Sequence, residues 1–175
     1  GKAKKRGHIF SVVLSGGNTC ASLYRAIAEQ SIVNKIPWEV IHVFWSDERC
    51  VSPQNKKSNY GICREVLLDH VLIPKKNIHR IRGEEDPSAE SARYAKEVQD
   101  HILLRKGQAT LFDWTFLGVG SDGHTASIFP GQDSLVSKKL CEKVRHPQSD
   151  QIRIPLTPLA LKKSNRITYH VIGRE

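Results

Sequence analysis

Hydrophobic positions along the chain alternate between two rhythms, one of strands and one of helices. Ile9 to Leu14 (IFSVVL) is a short, β-branched, mostly apolar run that stops at Ser15-Gly16-Gly17-Asn18-Thr19, and Ala21 to Gln30 then places Leu23, Ile27 and Ala28 at helical spacing. The reading is strand, glycine turn, helix. It recurs: Val40 to Trp45 (VIHVFW) reads as a second buried strand, Ser46 to Lys57 as a polar loop, and Asn59 to Leu72 as a helix with Ile62, Val66 and Leu67 on one face. Asn77 to Ile81 is a short extended piece, and Pro87 to Leu104 a helix with Asp86 as N-cap and proline at its first position. Phe112 to Val119 is a further strand. After it come a polar surface loop (Gly131 to Lys139), two extended pieces (Leu140 to His146, Arg153 to Leu156) and a last strand, Arg166 to Ile172.

Strands that are apolar along most of their length, alternating with helices, predict an α/β fold: a mainly parallel, doubly wound (Rossmann-like) sheet flanked by helices. At 175 residues the chain fits one domain, 1–175, without an internal linker. A βα unit ending on its strand leaves one sheet face uncovered, so a further helix is expected beyond residue 175. Methionine is absent even at position 1, which suits an excerpt of a longer protein.

Composition narrows the chemistry. No apolar run approaches the roughly 18 or more residues that cross a bilayer, and no signal-peptide pattern opens the chain; the expectation is a cytoplasmic protein without a membrane partner. The four cysteines form no C-x-x-C pair, and the eight histidines show no H-x-x-x-H or H-E-x-x-H spacing, so no intrinsic metal site is expected. A net charge of +9 suits nucleic acid, a membrane surface or an anionic metabolite. Part of it belongs to Lys2, Lys4, Lys5 and Arg6, a frayed end by expectation. Nucleic-acid binding would call for Lys/Arg clustered on one helix and exposed aromatics for stacking, and the sequence shows neither.

Three segments fall at carboxyl ends of predicted strands, where open parallel sheets bind ligands. Ser15-Gly16-Gly17-Asn18-Thr19 opens a helix and offers backbone N–H groups to an anion, or is simply a tight turn. Asp47-Glu48-Arg49 follows an apolar strand; these charges are solvated loop residues, or Arg49 grips a carboxylate, phosphate or oxyanion. Gly118-Val-Gly-Ser-Asp-Gly-His124 sets Asp122 two residues before His124, a carboxylate able to orient an imidazole that acts as general base. Thr125 to Phe129 is expected to form a short helix adding further N–H donors.

The segments LSGGNT (14–19), WEVIHVFWSDER (38–49), SNYG (58–61), NIHRI (77–81), FDWTFLGVGSDGHTASIFPG (112–131) and RIPLTPLAL (153–161) resemble, in order, those of the 6-phosphogluconolactonase family. The resemblance implies hydrolysis of 6-phospho-D-glucono-1,5-lactone to 6-phospho-D-gluconate in the oxidative pentose phosphate pathway. By it, His124 activates water, Asp122 orients the ring and Arg49 stabilises developing charge. Gly16, Gly17, Asn18, Thr19, Asp47 and Arg153 bind substrate, Arg153 as second phosphate ligand. The resemblance also implies no cofactor, a phosphorylated sugar lactone as partner, a setting beside or fused to a glucose-6-phosphate dehydrogenase, and an N-terminal helix preceding the first strand. The chain departs from the family pattern in SGGNTC, SDER and Arg153-Ile-Pro-Leu-Thr157, where Pro155 removes one backbone donor next to the arginine. The alternative is a glucosamine-6-phosphate isomerase/deaminase, whose relatives carry Asp-Glu-Tyr where this chain has Asp47-Glu48-Arg49.

Overall fold

The computed structural model describes residues 9–104, 110–120, 122–131 and 133–171. The basic stretch Lys2 to Arg6, the side chain of Asn18, Ser121 and residues 172–175 lie outside the described residues. In chain order the elements are β1 (Phe10–Leu14), α1 (Asn18–Ala28), α2 (Gln30–Val33), β2 (Ile41–Trp45), β3 (Asp47–Arg49), α3 (Asn59–Val66), β4 (Ile78–His79), α4 (Pro87–Leu104), β5 (Phe112–Gly118), β6 (Val144–Arg145), β7 (Ile152–Pro155), α5 (Pro158–Leu161) and β8 (Ser164–His170).

Five strands in the order β4-β2-β1-β5-β8 make a sheet in which every pair is parallel. Helices flank it, as a sheet apolar on both faces requires. Val13, Val43, Phe44, Trp45, Phe112 and Leu117 are all buried along its strands. The sheet's central order sends β1, β2 and β5 side by side, so the turns after them converge at one carboxyl edge. Those turns are tied together: Ser15 Oγ hydrogen-bonds Ser46 Oγ at 2.7 Å and donates to the Phe116 carbonyl at 2.8 Å. Tyr24 reaches back from α1 to accept from Ser15 N–H at 3.0 Å and donate to its carbonyl at 2.5 Å.

Several elements differ from the sequence reading. The polar loop expected from Ser46 contains β3, which pairs antiparallel with β7, itself paired with β6, in a second small sheet. Asp47 and Glu48 can stand in a strand here because their carboxylates find buried partners that spacing does not reveal. The helix expected to reach Leu72 ends at Val66, where Leu67 leaves helical geometry (φ −137°) and a short 3-10 turn, Leu68–His70, follows. Leu140 to His146 is ladder-paired at Val144–Arg145, with Cys141 bridging Leu156. RIPLTPLAL hides a helical turn: Thr157 caps α5 by accepting from Ala160 N–H, with Pro158 at the first helical position. Residues 87–104 form the expected helix, and Asp86 Oδ1 accepts from the Ser88 and Ala89 N–H groups at 3.1 and 2.8 Å. Asp133–Val136 turns as a 3-10 helix within the expected surface loop.

Candidate active site

At the shared carboxyl edge lies a cavity of about 140 Å³ lined by Gly16, Gly17, Thr19, Asp47, Arg49, His124 and Arg153, among others. The fold thus brings the three sequence segments and Arg153 to one place. Asp122 stands behind His124 rather than on the wall.

One side of the cavity is built from backbone. Gly17 adopts φ +91°, a conformation that favours glycine, and turns the chain into α1, whose N-terminus no side chain caps. The open N–H groups and dipole of an eleven-residue helix therefore face the cavity. Gly16 is required for a different reason: a Cβ there would lie 1.7 Å from Asn59 Oδ1.

Asp47, 3% exposed, is the hub of the polar floor. Its Oδ2 accepts from Ser127 Oγ at 2.5 Å, its Oδ1 from Asn59 Nδ2 at 3.0 Å, and Arg153 Nη1 lies 4.0 Å away. Glu48, also buried, takes four hydrogen bonds at the start of α3: from Arg49 N, Asn59 N, Ser58 Oγ and Tyr60 N. Burial raises its pKa, and these donors oppose the rise. Glu48 fixes β3 to α3; it has no free lone pair aimed at the cavity.

The register of β3 and β7 sets Arg49 directly opposite Arg153. Two like charges opposite each other destabilise an antiparallel pair. Arg49 Nη1 donates to the Lys57 carbonyl at 2.6 Å and Arg153 Nη1 to Ser127 Oγ at 3.5 Å. Arg49 Nε, Arg153 Nε and Asn59 Oδ1 are buried with no hydrogen-bond partner. Burial, with the charge of Arg49 adding to it, lowers the Arg153 pKa against the pull of Asp47. Pro155 does not carry Arg153 away: it sits opposite Asp47, and Leu156 N–H restores the pairing by donating to the Ser46 carbonyl at 2.7 Å.

His124 is held by its own loop. Asp122 Oδ1 accepts from both the ring Nδ1 and the main-chain N–H of His124. That contact holds the Asp122 carboxyl below its ordinary range, the imidazole hydrogen bond being the largest cause. Gly120 N–H donates to the His124 carbonyl at 2.8 Å, Gly123 takes φ +83°, and a Cβ on Gly120 would fall 2.4 Å from the ring. The ring packs 5.1 Å from Phe129. The short helix expected from Thr125 to Phe129 is not formed. Ala126 instead takes φ +50° and Thr125 bridges Ile128, a turn that lets Ser127 reach Asp47. The extra helix-start donors are absent, and α1 supplies those that face the cavity.

Sequence reasoning missed Asn59, Ser127 and His146. Asn59 stands in SNYG and Ser127 in the loop after His124, so both lay in quoted segments without a role. His146 packs 6.3 Å from His124 and 4.8 Å from Phe129. Burial, then the charges of Arg153 and His124, lower its pKa. It closes the extended piece read from Leu140 to His146, and nothing in that piece marked it for the site.

A larger cavity, about 820 Å³, lies beside α3 and β4 and is lined by Tyr60, Arg64, Arg80 and Arg93 among others. Arg80 there pairs with Glu84 at 2.6 Å, and Arg93 with Glu90 at 2.6 Å and with Glu97. These guanidiniums meet carboxylates at hydrogen-bond distance, whereas Arg153 in the smaller site has the Asp47 carboxylate at 4.0 Å.

The fold gathers a glycine-rich helix start, two opposed arginines and a carboxylate-bonded imidazole around one cavity at the sheet's carboxyl edge. The family model for glucosamine-6-phosphate isomerases/6-phosphogluconolactonase matches residues 1–175, and the chain belongs to this family. A 6-phosphogluconolactonase of Aggregatibacter actinomycetemcomitans is 41% identical over 166 residues, covering 95% of this chain and 69% of the relative. The crystal structure of a 6-phosphogluconolactonase from Thermotoga maritima aligns with TM-score 0.83 at 31% identity, over 96% of this chain and 72% of that one. A Homo sapiens relative named GDH/6PGL endoplasmic bifunctional protein is 31% identical over 99% of this chain, which spans 22% of its length.

Proposed function

We propose that this chain hydrolyses 6-phospho-D-glucono-1,5-lactone to 6-phospho-D-gluconate with water activated by His124. With Nδ1–H donated to Asp122, the neutral ring keeps its Nε2 lone pair for a water proton. Water attacks the lactone carbonyl, the carbonyl oxygen gathers charge that Arg49 stabilises, and the ring ester bond breaks, returning a proton to the leaving oxygen. Gly16, Gly17, Asn18 and Thr19 hold the phosphate at the helix start, with Arg153 as its side-chain partner; Asp47 holds the floor on which Arg153 lies. A lactone is a reactive ester, so these steps call on the chain's own groups.

The observation that carries the reading is the pairing of Arg49 with Arg153 across one ladder, beside the α1 N-terminus and His124. An anionic substrate removes the repulsion and satisfies the orphaned Nε atoms. A dehydrogenase that oxidises the sugar phosphate must supply the lactone, and the bifunctional human relative supports placing this chain beside such an enzyme.

The test is His124→Ala, assayed on the phosphorylated lactone above its spontaneous opening. The expected result is a fall in kcat of about 10² to 10⁴ with KM nearly kept; near-wild-type turnover removes His124 from the mechanism. Release of ammonia from glucosamine 6-phosphate by the wild type would instead support the isomerase/deaminase alternative.

A further inference from the structure

A second cluster of chemistry lies away from that edge. His42 is the second residue of β2, and its side chain falls on the same strand face as Phe44. Phe44 is the register partner of His79 on β4. His101, in the last turn of α4, closes over both. The three residues are far apart in sequence, so no spacing motif announces them, yet one ligand-capable nitrogen from each lies within 4.8 Å of the others.

The rings are arranged, not scattered. His42 and His79 stack with centroids 5.1 Å apart, His101 packs 4.8 Å from His42, and Phe44 lies 4.3 Å from His79 and 4.9 Å from His101, giving an apolar wall. His42 Nδ1 and His79 Nε2 are 2.8 Å apart. The other nitrogen of His79, Nδ1, meets Glu97 Oε1 at 2.7 Å, and Glu97 is itself held by Arg93. A carboxylate on the far nitrogen of an imidazole fixes the tautomer and raises the basicity of the near one, which is how metal-binding histidines are usually supported. A cavity of about 400 Å³ opens on the cluster from solvent.

We propose that His42, His79 and His101 bind a divalent transition-metal ion of the zinc class, with Glu97 orienting His79. Imidazole nitrogens suit zinc, copper and nickel, and three of them leave a fourth position for water. Ligand nitrogens at about 2.0–2.1 Å from zinc stand roughly 3.3 Å from one another in a tetrahedron. His42 and His79 therefore separate by roughly half an ångström while His101 closes in, movements within the reach of ring rotation. The proton between His42 and His79 moves to the outer nitrogen of His42, so neutral rings bind the ion without releasing it to solvent. A metal here would clamp β2, β4 and α4 together and act on stability, since the cluster shares no residue with the cavity lined by His124.

The test is a Zn²⁺ titration of the chelator-stripped chain, by calorimetry and by thermal shift. One Zn²⁺ per chain is expected, with a Zn²⁺-dependent rise in Tm. Binding should weaken at least about 10-fold in His42→Asn and in His79→Asn, and about 10- to 100-fold in Glu97→Gln, while His124→Ala binds as wild type. Cobalt added to the wild type should give the visible absorption of a nitrogen-ligated tetrahedral ion, a readout independent of how any variant folds. Absence of that spectrum, Zn²⁺ binding retained in both histidine variants, or binding lost in His124→Ala would each overturn the proposal.

Discussion

Arg49 and Arg153 stand opposite each other in the β3–β7 ladder, and Asp47 lies 4.0 Å from the Arg153 head, beyond hydrogen-bond reach. An arginine held this way should recognise phosphate rather than serve the fold. Arg153→Ala is expected to raise KM for the phosphorylated lactone by about 10-fold or more, the loss of a charge-assisted contact of roughly 1.5 to 3 kcal/mol. Hydrolysis of unphosphorylated gluconolactone should barely change. Equal losses on both substrates would place Arg153 at the reacting centre or in the fold, and no loss on either would remove it from the site.

Asp47 was expected to touch substrate; its contacts give it a prior structural duty. Removing its carboxylate leaves Ser127 Oγ without its buried acceptor, Asn59 Nδ2 with only the Asp47 main-chain carbonyl, and Arg153 without its nearby charge. Asp47→Ala should therefore lower unfolding stability by about 2–4 kcal/mol. A urea unfolding curve matching wild type, accompanied by a raised KM, would mean that Asp47 acts on substrate alone.

The parallel sheet was legible because its strands are apolar along their length, and IFSVVL, VIHVFW and FDWTFLG need no long-range information to be read as buried. The three turns that line the cavity were legible for the same reason, since a glycine-rich or charged break after a buried strand marks its carboxyl end. What escaped was whatever depends on pairing across distance. Asp47-Glu48-Arg49 looked like loop because charge disfavours a strand, until Asn59, Ser58 and Ser127 supply buried partners. Thr125 to Phe129 looked helical, but the Ser127–Asp47 hydrogen bond outweighs local preference and drives Ala126 to positive φ. The histidine cluster runs from His42 to His101 along the chain, and only the β2–β4 register and the return of α4 bring it together.

Gly16 gives the most local test of the proposed phosphate turn. A methyl group there collides with Asn59 Oδ1, and Asn59 cannot retreat because its Nδ2 is bonded to both the Asp47 carbonyl and carboxylate. Gly16→Ala should cost about 1–3 kcal/mol of stability and raise KM for the phosphorylated lactone. Asn59→Gly in the same chain should relieve the clash and return part of the stability. A Gly16→Ala protein with wild-type Tm and KM would show that this approach is looser than described.

Asp122 and His124 make a pair whose pH dependence has a definite sign. The hydrogen bond from His124 holds the Asp122 carboxyl below its ordinary 3.8. An acid with a depressed native pKa binds fewer protons folded than unfolded in the window between the two values, so stability rises with pH there. The contribution is fully present above 3.8 and is lost as pH falls through the lower native value. Across the neutral range Asp122 is therefore ionised and keeps the proton of His124 on Nδ1. Asp122→Asn should lower kcat by roughly 10² to 10⁴, because an amide can present its N–H to the ring and favour the wrong tautomer. Its stability deficit against wild type, from urea unfolding, should shrink as pH falls below 3.8. A deficit that closes by pH 5 would mean that the carboxylate is not held down by His124, and unchanged kcat would mean that it does not orient the base.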